Sequence, residues 1–147
     1  MKSVTVRDLS YDDLSNDKSR KSFISCLNEL APTDLSLEAL LSIFFERQHE
    51  GFRTLVAVNG DEIIGTGSIL IEPKYIHSGG RTAHIEDVAV RRDYQLTGIG
   101  SLIVQHLVDI AKAVACYKVV LDCNDKTAPF YEKLGFKHHG CYMRISL

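Results

Sequence analysis

The stretch that decides the fold is AHIEDVAVRRDYQLTGIG, residues 83 to 100. Its first part, Ala83 to Val90, is apolar like a buried strand, and Ile99 to Ala115 has the apolar periodicity of a helix. Gly98 and Gly100 fall where that helix should begin, although glycine costs about 1 kcal/mol relative to alanine inside a helix. The two glycines therefore need a reason to be there.

A helix start offers such a reason, because its first four N–H groups lack partners inside the helix and carry a partial positive charge. A residue without a side chain lets an anion approach those groups closely. We therefore expect Gly98 and Gly100 to open a site for a phosphate. The alternative from the residues alone is that Gly98 ends a loop and Gly100 allows close packing of helix on sheet.

Composition limits the range of functions. The chain has 147 residues, which predicts one domain over residues 1–147, and its net charge of -2 argues against nucleic acid as a partner. MKSVTVRDLS has no apolar secretory core, and no run approaches the length of a membrane span, so we expect a cytoplasmic protein with no membrane partner. The C-terminal Ile-Ser-Leu is a poor match to the peroxisomal S-K-L signal, and import into such an organelle is left open.

Four cysteines, Cys26, Cys116, Cys123 and Cys141, show neither a C-x-x-C pair nor a zinc-finger spacing to histidine. We therefore expect buried, reduced thiols and no metal site.

Apolar spacing predicts the remaining elements. Helices are expected around residues 23–30 and 37–45, a hairpin through Asn59-Gly60, and a short helix in TAPFYEKLG. Further strands are expected over residues 4–9, 117–123 and the closing FKHHGCYMRISL, whereas SYDDLSNDKSR and EPKYIHSGGRT are predicted to be loops. This order predicts an α/β fold with a mixed sheet and helices on both faces.

Several motifs resemble a known family. The pattern Gln95, Gly98, Gly100 after an apolar strand resembles the acyl-CoA pyrophosphate loop of the Gcn5-related N-acetyltransferases (GNAT), and FYEKLGF, residues 130–136, is similar to their second signature. Over residues 63–143, HIEDVAV, YQLTGIG, CYKVVLDC, FYEKLGF and KYIH closely resemble eukaryotic glucosamine 6-phosphate N-acetyltransferases.

The resemblance implies a fold and a reaction. It implies the GNAT fold, with a mostly antiparallel twisted sheet, and a direct transfer of acetyl from acetyl-CoA to the amine of glucosamine 6-phosphate. That step belongs to UDP-N-acetylglucosamine biosynthesis. It implies a homodimer with composite active sites, in which the last strand reaches the partner's site. Ala31 stands where the subfamily carries a substrate-facing Thr, and Ser146 where it carries an Arg, so Arg144 is expected to replace that Arg.

The resemblance also assigns site residues. It implies that acetyl-CoA is bound by Val88, Ala89, Val90, Gln95, Leu96, Thr97, Gly98, Ile99, Gly100 and Tyr131. It implies that the sugar phosphate is bound by Lys74, Tyr75, Ile76, His77, Glu86, Asp87, Val88, Asp122 and Arg144. The catalytic residues would be Tyr131, a proton donor to the CoA thiolate, and Asp122, which holds and orients the amine.

Each assignment has a structural alternative. Tyr131 could serve core packing, and Asp122 could cap the following helix. Glu86 and Asp87, which neighbouring strand positions should send to opposite faces, could form salt bridges. The loop with Lys74 and His77 could simply be solvated.

These residues are compatible with three functions. The first is the sugar-phosphate acetyltransferase. The second is the same fold acting on another small amine or on a protein amine, which leaves KYIH and Glu86-Asp87 without a purpose. The third is a CoA-binding module without catalysis, against which Tyr131 and Asp122 argue.

Overall fold

One five-stranded sheet organises the chain, whose computed structural model describes residues 3–147. The strands lie in chain order: β1 Val4–Asp8, β2 Phe52–Asn59, β3 Glu62–Pro73, β4 Arg81–Val90 and β5 Cys116–Val120. The first four strands pair antiparallel, whereas β5 runs parallel to β4. The predicted mixed, mostly antiparallel sheet and the hairpin between β2 and β3 are confirmed.

Helices cover both faces of the sheet, as predicted. They are α1 Tyr11–Ser15, α2 Asp17–Leu27, α3 Leu37–His49, α4 Ile76–Gly79, α5 Ile99–Ala113 and α6 Ala128–Lys133, with a 3-10 turn at Arg92–Tyr94. Leu55 and Ala57 of β2 pack in the core under α5, whereas Val56 packs in the core under α1, α2 and α3. This alternation is the period of two expected for a strand that is buried on both faces.

The segment SYDDLSNDKSR was predicted to be a loop, and that prediction was wrong, because it contains α1 and the start of α2. Ser10 caps α1 through a capping box with Asp13, whose carboxylate also accepts two hydrogen bonds from Arg7, at 2.6 and 2.7 Å. Leu14 is fully buried. A single buried leucine among polar residues gives too weak a periodic signal for a helix of one turn.

The prediction of a closing strand in FKHHGCYMRISL was also wrong for the single chain. The C-terminal segment, Lys137–Leu147, forms neither helix nor strand, and all of its residues are exposed. Met143 is 89% exposed and Ile145 is 85% exposed. The outer edge of β5 has no neighbouring strand in the described residues. The alternating pattern is present in the sequence, but a strand also requires a partner for its backbone.

Two irregularities in β4 shape the region where the site is expected. A bulge places Asp87 and Val88 opposite Gly67 alone, and Asp87 adopts a φ of +52°. The pairing of β4 with β5 ends at His84 and Val120. Beyond that point the second half of β4 and residues 121–124 diverge, so that the sheet forks and the edge of β4 facing the fork is unpaired.

Candidate active site

The start of α5 is open. Gly98 has a φ of +89°, a left-handed conformation that favours glycine, and no side chain caps the helix. Leu102 donates to the Gly98 carbonyl in the first turn, so the N–H groups before it have no helical partner. A Cβ on Gly100 would lie 3.2 Å from Cζ of Phe130. The packing role of Gly100 is therefore observed, and the free N–H groups support the anion role, which stays a prediction.

The loop before α5 is held by its own side chains. Gln95 donates from Nε2 to the Val90 carbonyl at 3.0 Å, and the Thr97 hydroxyl donates to the Tyr94 carbonyl. Leu96 has a φ of +62° and a fully exposed side chain, and Ile99 is buried in the core. Of the residues expected here, Ile99 can therefore offer only its backbone to a cofactor.

The fork places the backbone of β4 beside α5. Val88 and Val90 pack towards the core under α5, whereas Ala89 is buried on the opposite face. The edge of β4 that faces the fork has no neighbouring strand beyond His84, and the Val90 carbonyl on it accepts from Gln95. An extended ligand can use such an edge as a partner strand would, which is the role that the sequence assigned to Val88, Ala89 and Val90.

Tyr131 lies across the fork from this edge. Its ring meets Phe130 and Phe136 edge-on, with centroids 4.9 and 5.9 Å apart. Burial raises the pKa of the Tyr131 phenol, and Cys123 and Asp122 raise it further. The ring packs, as the structural alternative expected, but the half-buried phenol also lines a cavity of about 530 Å³ together with Asp122. Its hydroxyl stays protonated at neutral pH and can donate.

Asp122 is exposed and lies outside β5, although the strand was predicted to run over residues 117–123. Strand β5 ends two residues before it, at Val120, so Asp122 belongs to the diverging arm of the fork. The alternative role as a helix cap is also wrong. Thr127 stands at the N-cap of α6 and no side chain caps that helix, while Asn124 Oδ1 accepts from the N–H groups of Lys126 and Thr127, each at 3.0 Å, in the turn before it.

Four side chains form a polar row on β3, β4 and the start of the following loop, namely Lys74, Glu72, His84 and Glu86. Glu72 accepts from Lys74 Nζ at 2.6 Å and contacts His84 Nε2 at 2.8 Å. His84 and Glu86 are two apart on β4 and share one face. The sequence gave His84 no role, and the missed signal is that Glu72 and His84 meet only when β3 and β4 pair.

Glu86 stands at the acidic end of this row. Burial raises the pKa of the Glu86 carboxyl, and Asp122 and Asp87 raise it further. The bulge at Asp87 breaks the alternation that should have separated Glu86 from Asp87, so both carboxylates influence one region. Within residues 3–147 neither forms a salt bridge, which removes that alternative.

A second cavity, of about 340 Å³, lies between the sheet and helices α2 and α3 and reaches Asp87. Arg47 lines it, donates to the Ser68 hydroxyl at 2.8 Å and stacks over Phe52 at 4.3 Å. Ser68 pairs directly with Glu86 across the strands. Sequence reasoning missed Arg47, because nothing in the apolar helix around it indicates that its guanidinium turns towards β4.

The loop with the K-x-I-H motif lies at the basic end of the row. Lys74 is tied to Glu72, and the His77 ring packs against Tyr117. Tyr75 and Ile76 project into solvent and contact neither of these. The loop is therefore held through Lys74 and His77, which argues against the solvated-loop alternative, although α4 is only one turn with left-handed His77 and Ser78.

Arg144, like Tyr75 and Ile76, has no described contact with the other expected substrate residues. It lies in the exposed C-terminal segment and donates from Nε to the Ser146 hydroxyl at 3.0 Å. The two side chains share a side, as their spacing predicted.

The cysteine expectation was wrong in part. All four thiols are free, but only Cys26 is fully buried, and burial raises its pKa to about 12. Cys123 and Cys141 are exposed. Over residues 3–147 no three metal-ligating side chains cluster. In the same part of the chain, no helix is both long and apolar enough to cross a membrane.

A forked mixed sheet with an uncapped helix start beside the fork defines a class of fold whose free backbone groups can receive an extended anionic ligand. Comparison with known proteins specifies the class. The sequence model of the acetyltransferase (GNAT) family matches residues 13–136. The chain therefore belongs to the GNAT acetyltransferase family.

Individual relatives are similar over nearly the whole chain. The glucosamine 6-phosphate N-acetyltransferase of Trypanosoma brucei brucei is 38% identical over 98% of this chain and 96% of its own. A crystal structure of a Trypanosoma brucei acetyltransferase superposes with a TM-score of 0.89 at 36% identity, covering 99% of this chain and 100% of that one. The glucosamine-6-phosphate N-acetyltransferase of Arabidopsis thaliana gives a TM-score of 0.89 at 31% identity, covering 99% of each chain.

Proposed function

We propose that this protein transfers the acetyl group of acetyl-CoA to the amine of D-glucosamine 6-phosphate, giving N-acetyl-D-glucosamine 6-phosphate and CoA. The polar row carries the proposal, because it has a basic end at Lys74 and an acidic end at Glu86, beside the fork. A sugar with a phosphate at one end and an amine at the other matches that distribution of charge. The names of the relatives support the same substrate.

Acetyl-CoA is the acetyl donor. We place its pyrophosphate at the free N–H groups of α5 and its pantetheine along the unpaired edge of β4. The loop residues Gln95 to Gly98 frame the pyrophosphate, and Gln95 keeps the loop against Val90. This placement leaves the thioester at the fork, between Val88 and Tyr131.

The acceptor amine lies at the acidic end of the row. Asp122 and Asp87 attract the ammonium group, and Glu86 accepts its proton more readily than an ordinary carboxylate because its pKa is raised. The free amine attacks the thioester carbon, and the N–H of Val88 stabilises the oxyanion. As the C–S bond breaks, the Tyr131 phenol donates its proton to sulfur, and the second proton that the nitrogen loses as the amide forms returns through solvent to the Tyr131 phenolate. Alignment of the two substrates supplies much of the rate, and no covalent enzyme intermediate is needed.

We further propose a homodimer with composite sites. The C-terminal segment exposes Tyr142, Met143 and Ile145, and the outer edge of β5 is unpaired. An exposed strand edge and an unpaired extended segment are both relieved when two chains pair. Arg144 would then reach the phosphate in the partner's site. The four free thiols fit a reducing compartment, and we place the reaction in the cytoplasm.

Release of CoA thiol from acetyl-CoA tests the function with three acceptors. Glucosamine 6-phosphate should be acetylated, glucose 6-phosphate should release no thiol because it has no amine, and glucosamine should react far more slowly. Equal kcat/KM for the two amino sugars would overturn the proposal in favour of an acetyltransferase for another amine. Binding of CoA without turnover of any amine would favour the non-catalytic module.

A further inference from the structure

A bulge at the start of β5 frees one aromatic residue. Arg81 pairs with Cys116 and Thr82 pairs with Lys118, so Tyr117 between them has no partner on β4. A bulge re-aims the side chain of its extra residue. Here the ring lies against the loop that carries Lys74 and His77, and a Cβ on Gly80 would fall 2.7 Å from Cδ1 of Tyr117. Glycine at position 80 therefore makes room for this ring.

The ring of Tyr117 contacts His77 of that loop directly. The centroids of the His77 and Tyr117 rings are 4.3 Å apart, with 35° between their planes. His77 and Ser78 have φ values of +52° and +55°, which residues other than glycine seldom adopt without support. The loop closes through a hydrogen bond from the Lys74 N–H to the Gly80 carbonyl at 2.8 Å.

Tyr117 does not belong to either hydrophobic core. It is 38% exposed and packs in neither of the two core clusters of the described residues. Its contacts are with the loop and with Lys118, whose Nζ lies 5.5 Å from the ring centroid. Its packing therefore serves the loop.

We propose that Tyr117 is a positioning residue, which holds His77 in the orientation that receives the sugar phosphate. The proposal rests on the proposed function and extends it to the residue that sets phosphate specificity. The loop alone would sample many conformations, and each binding event would have to order it. A ring that preorganises His77 removes that cost, which lowers the KM of the phosphorylated sugar and leaves the chemistry of transfer unchanged.

Three variants distinguish the effect of the Tyr117 ring from the effect of its hydroxyl and from the effect of its position. Tyr117→Ala removes the ring, Tyr117→Phe keeps it, and Gly80→Ala pushes it aside at a position whose backbone tolerates alanine. Tyr11→Ala is the matched control, because it breaks a similar aromatic pair, with Phe45, on α1 and α3.

For Tyr117→Ala we expect a KM for glucosamine 6-phosphate raised about tenfold, equivalent to about 1.4 kcal/mol. Its kcat and its KM for acetyl-CoA should stay within about twofold, as should all constants of Tyr117→Phe. Gly80→Ala should change in the same direction as Tyr117→Ala. Unphosphorylated glucosamine should be acetylated equally well by all variants, and Tyr117→Ala should add nothing to the defect of His77→Ala.

Equal losses on both sugars, or additive losses with His77→Ala, would show that Tyr117 acts on general structure and would overturn the proposal. A Tyr117→Phe variant as poor as Tyr117→Ala would show that the hydroxyl acts, which would also overturn it. The NMR signals of the His77 ring protons test the contact without any activity, because the stacked ring should shift them and Tyr117→Ala should return them to ordinary positions. Unshifted His77 signals in the parent protein would contradict the stacking. Failure of the proposed function would show separately, as a parent protein with no preference for the phosphorylated sugar.

Discussion

The donor side and the acceptor side of this site are built in different ways. On the donor side, the start of α5, the edge of β4 and Tyr131 of α6 pack around one core in a single chain. On the acceptor side, the polar row forms within one chain, but Arg144 lies in an exposed segment, and its described hydrogen bond is to Ser146 of the same segment. This difference is the reason for the proposed homodimer, in which one chain would hold the cofactor and the thioester and a second chain would add Arg144 to the acceptor site.

The largest effect should come from the donor side at Tyr131. Tyr131→Phe keeps the ring against Phe130 and Phe136 and removes only the proton donor. We expect kcat to fall roughly 10²-fold, at the lower end of what general acids contribute, with little change in the KM of acetyl-CoA. Steady-state kinetics measure both constants, and Tyr11→Phe serves as the control. A raised KM with an unchanged kcat would make Tyr131 a binding residue.

Mixing of two variant chains tests whether the acceptor site is shared between subunits. Arg144→Ala and Asp122→Asn chains should each be weak alone. If the site is composite, each mixed dimer holds one site with both defects and one with neither. Random pairing should then restore about a quarter of the parent activity. Chains that exchange subunits and stay as weak as the two single variants would place Arg144 in its own chain's site or in none.

The start of α5 should respond to a charge placed in its first turn. Ser101→Glu puts a carboxylate near the free N–H groups, where it competes with the pyrophosphate and repels it. We expect the affinity for CoA to fall about tenfold, with a melting temperature that is unchanged or slightly higher. Ser101→Gln, of the same size without the charge, should bind CoA nearly as the parent does. Calorimetric titration measures both, and equal affinities for the two variants would remove the anion site.

The smallest effect is a pH dependence with a defined sign. Because burial raises the pKa of Tyr131, the phenol keeps its proton through the neutral range and loses it only at strongly alkaline pH. The rate should therefore fall as pH rises through this raised pKa, and the Tyr131→Phe variant should lack that decline. If the rates of the parent and of Tyr131→Phe fall in the same way at alkaline pH, a group other than Tyr131 causes the fall.

Much of the fold could be predicted from the sequence, because long apolar runs decide it. Strand β4, helix α5 and the hairpin have strong periodic patterns, and the structure places them as expected. Helix α1 was not predicted, because its one buried apolar residue, Leu14, gives no periodic pattern, and its capping box and the contact of Arg7 with Asp13 appear only in the folded structure. The closing strand failed for the opposite reason, since its pattern needs a partner that the single chain does not supply.

Some residues of the candidate site could be predicted from the sequence, and others could be found only in the folded structure. Motifs identified the glycines, Tyr131 and Lys74, because those residues are close in sequence to recognisable turns. The contact of Glu72 with His84 depends on the pairing of β3 with β4, and the approach of Arg47 to Ser68 depends on the packing of α3. These contacts join residues 12 and 21 positions apart, and no local pattern encodes them.

In the proposed function, Lys74 and His77 at the basic end of the polar row bind the phosphate of the acceptor sugar. The ratio of kcat/KM for glucosamine 6-phosphate to that for glucosamine tests it most directly, in the parent and in a Lys74→Ala, His77→Ala double variant. A lost charge-assisted pair costs about 1.5–3 kcal/mol, so the parent should prefer the phosphorylated sugar by roughly tenfold to a hundredfold or more. In the double variant, kcat/KM should fall for glucosamine 6-phosphate and stay unchanged for glucosamine, so that most of the preference is lost. The control variant Lys112→Ala, which changes an exposed lysine on α5, should keep the preference. A double variant with the parent's full preference would contradict the account.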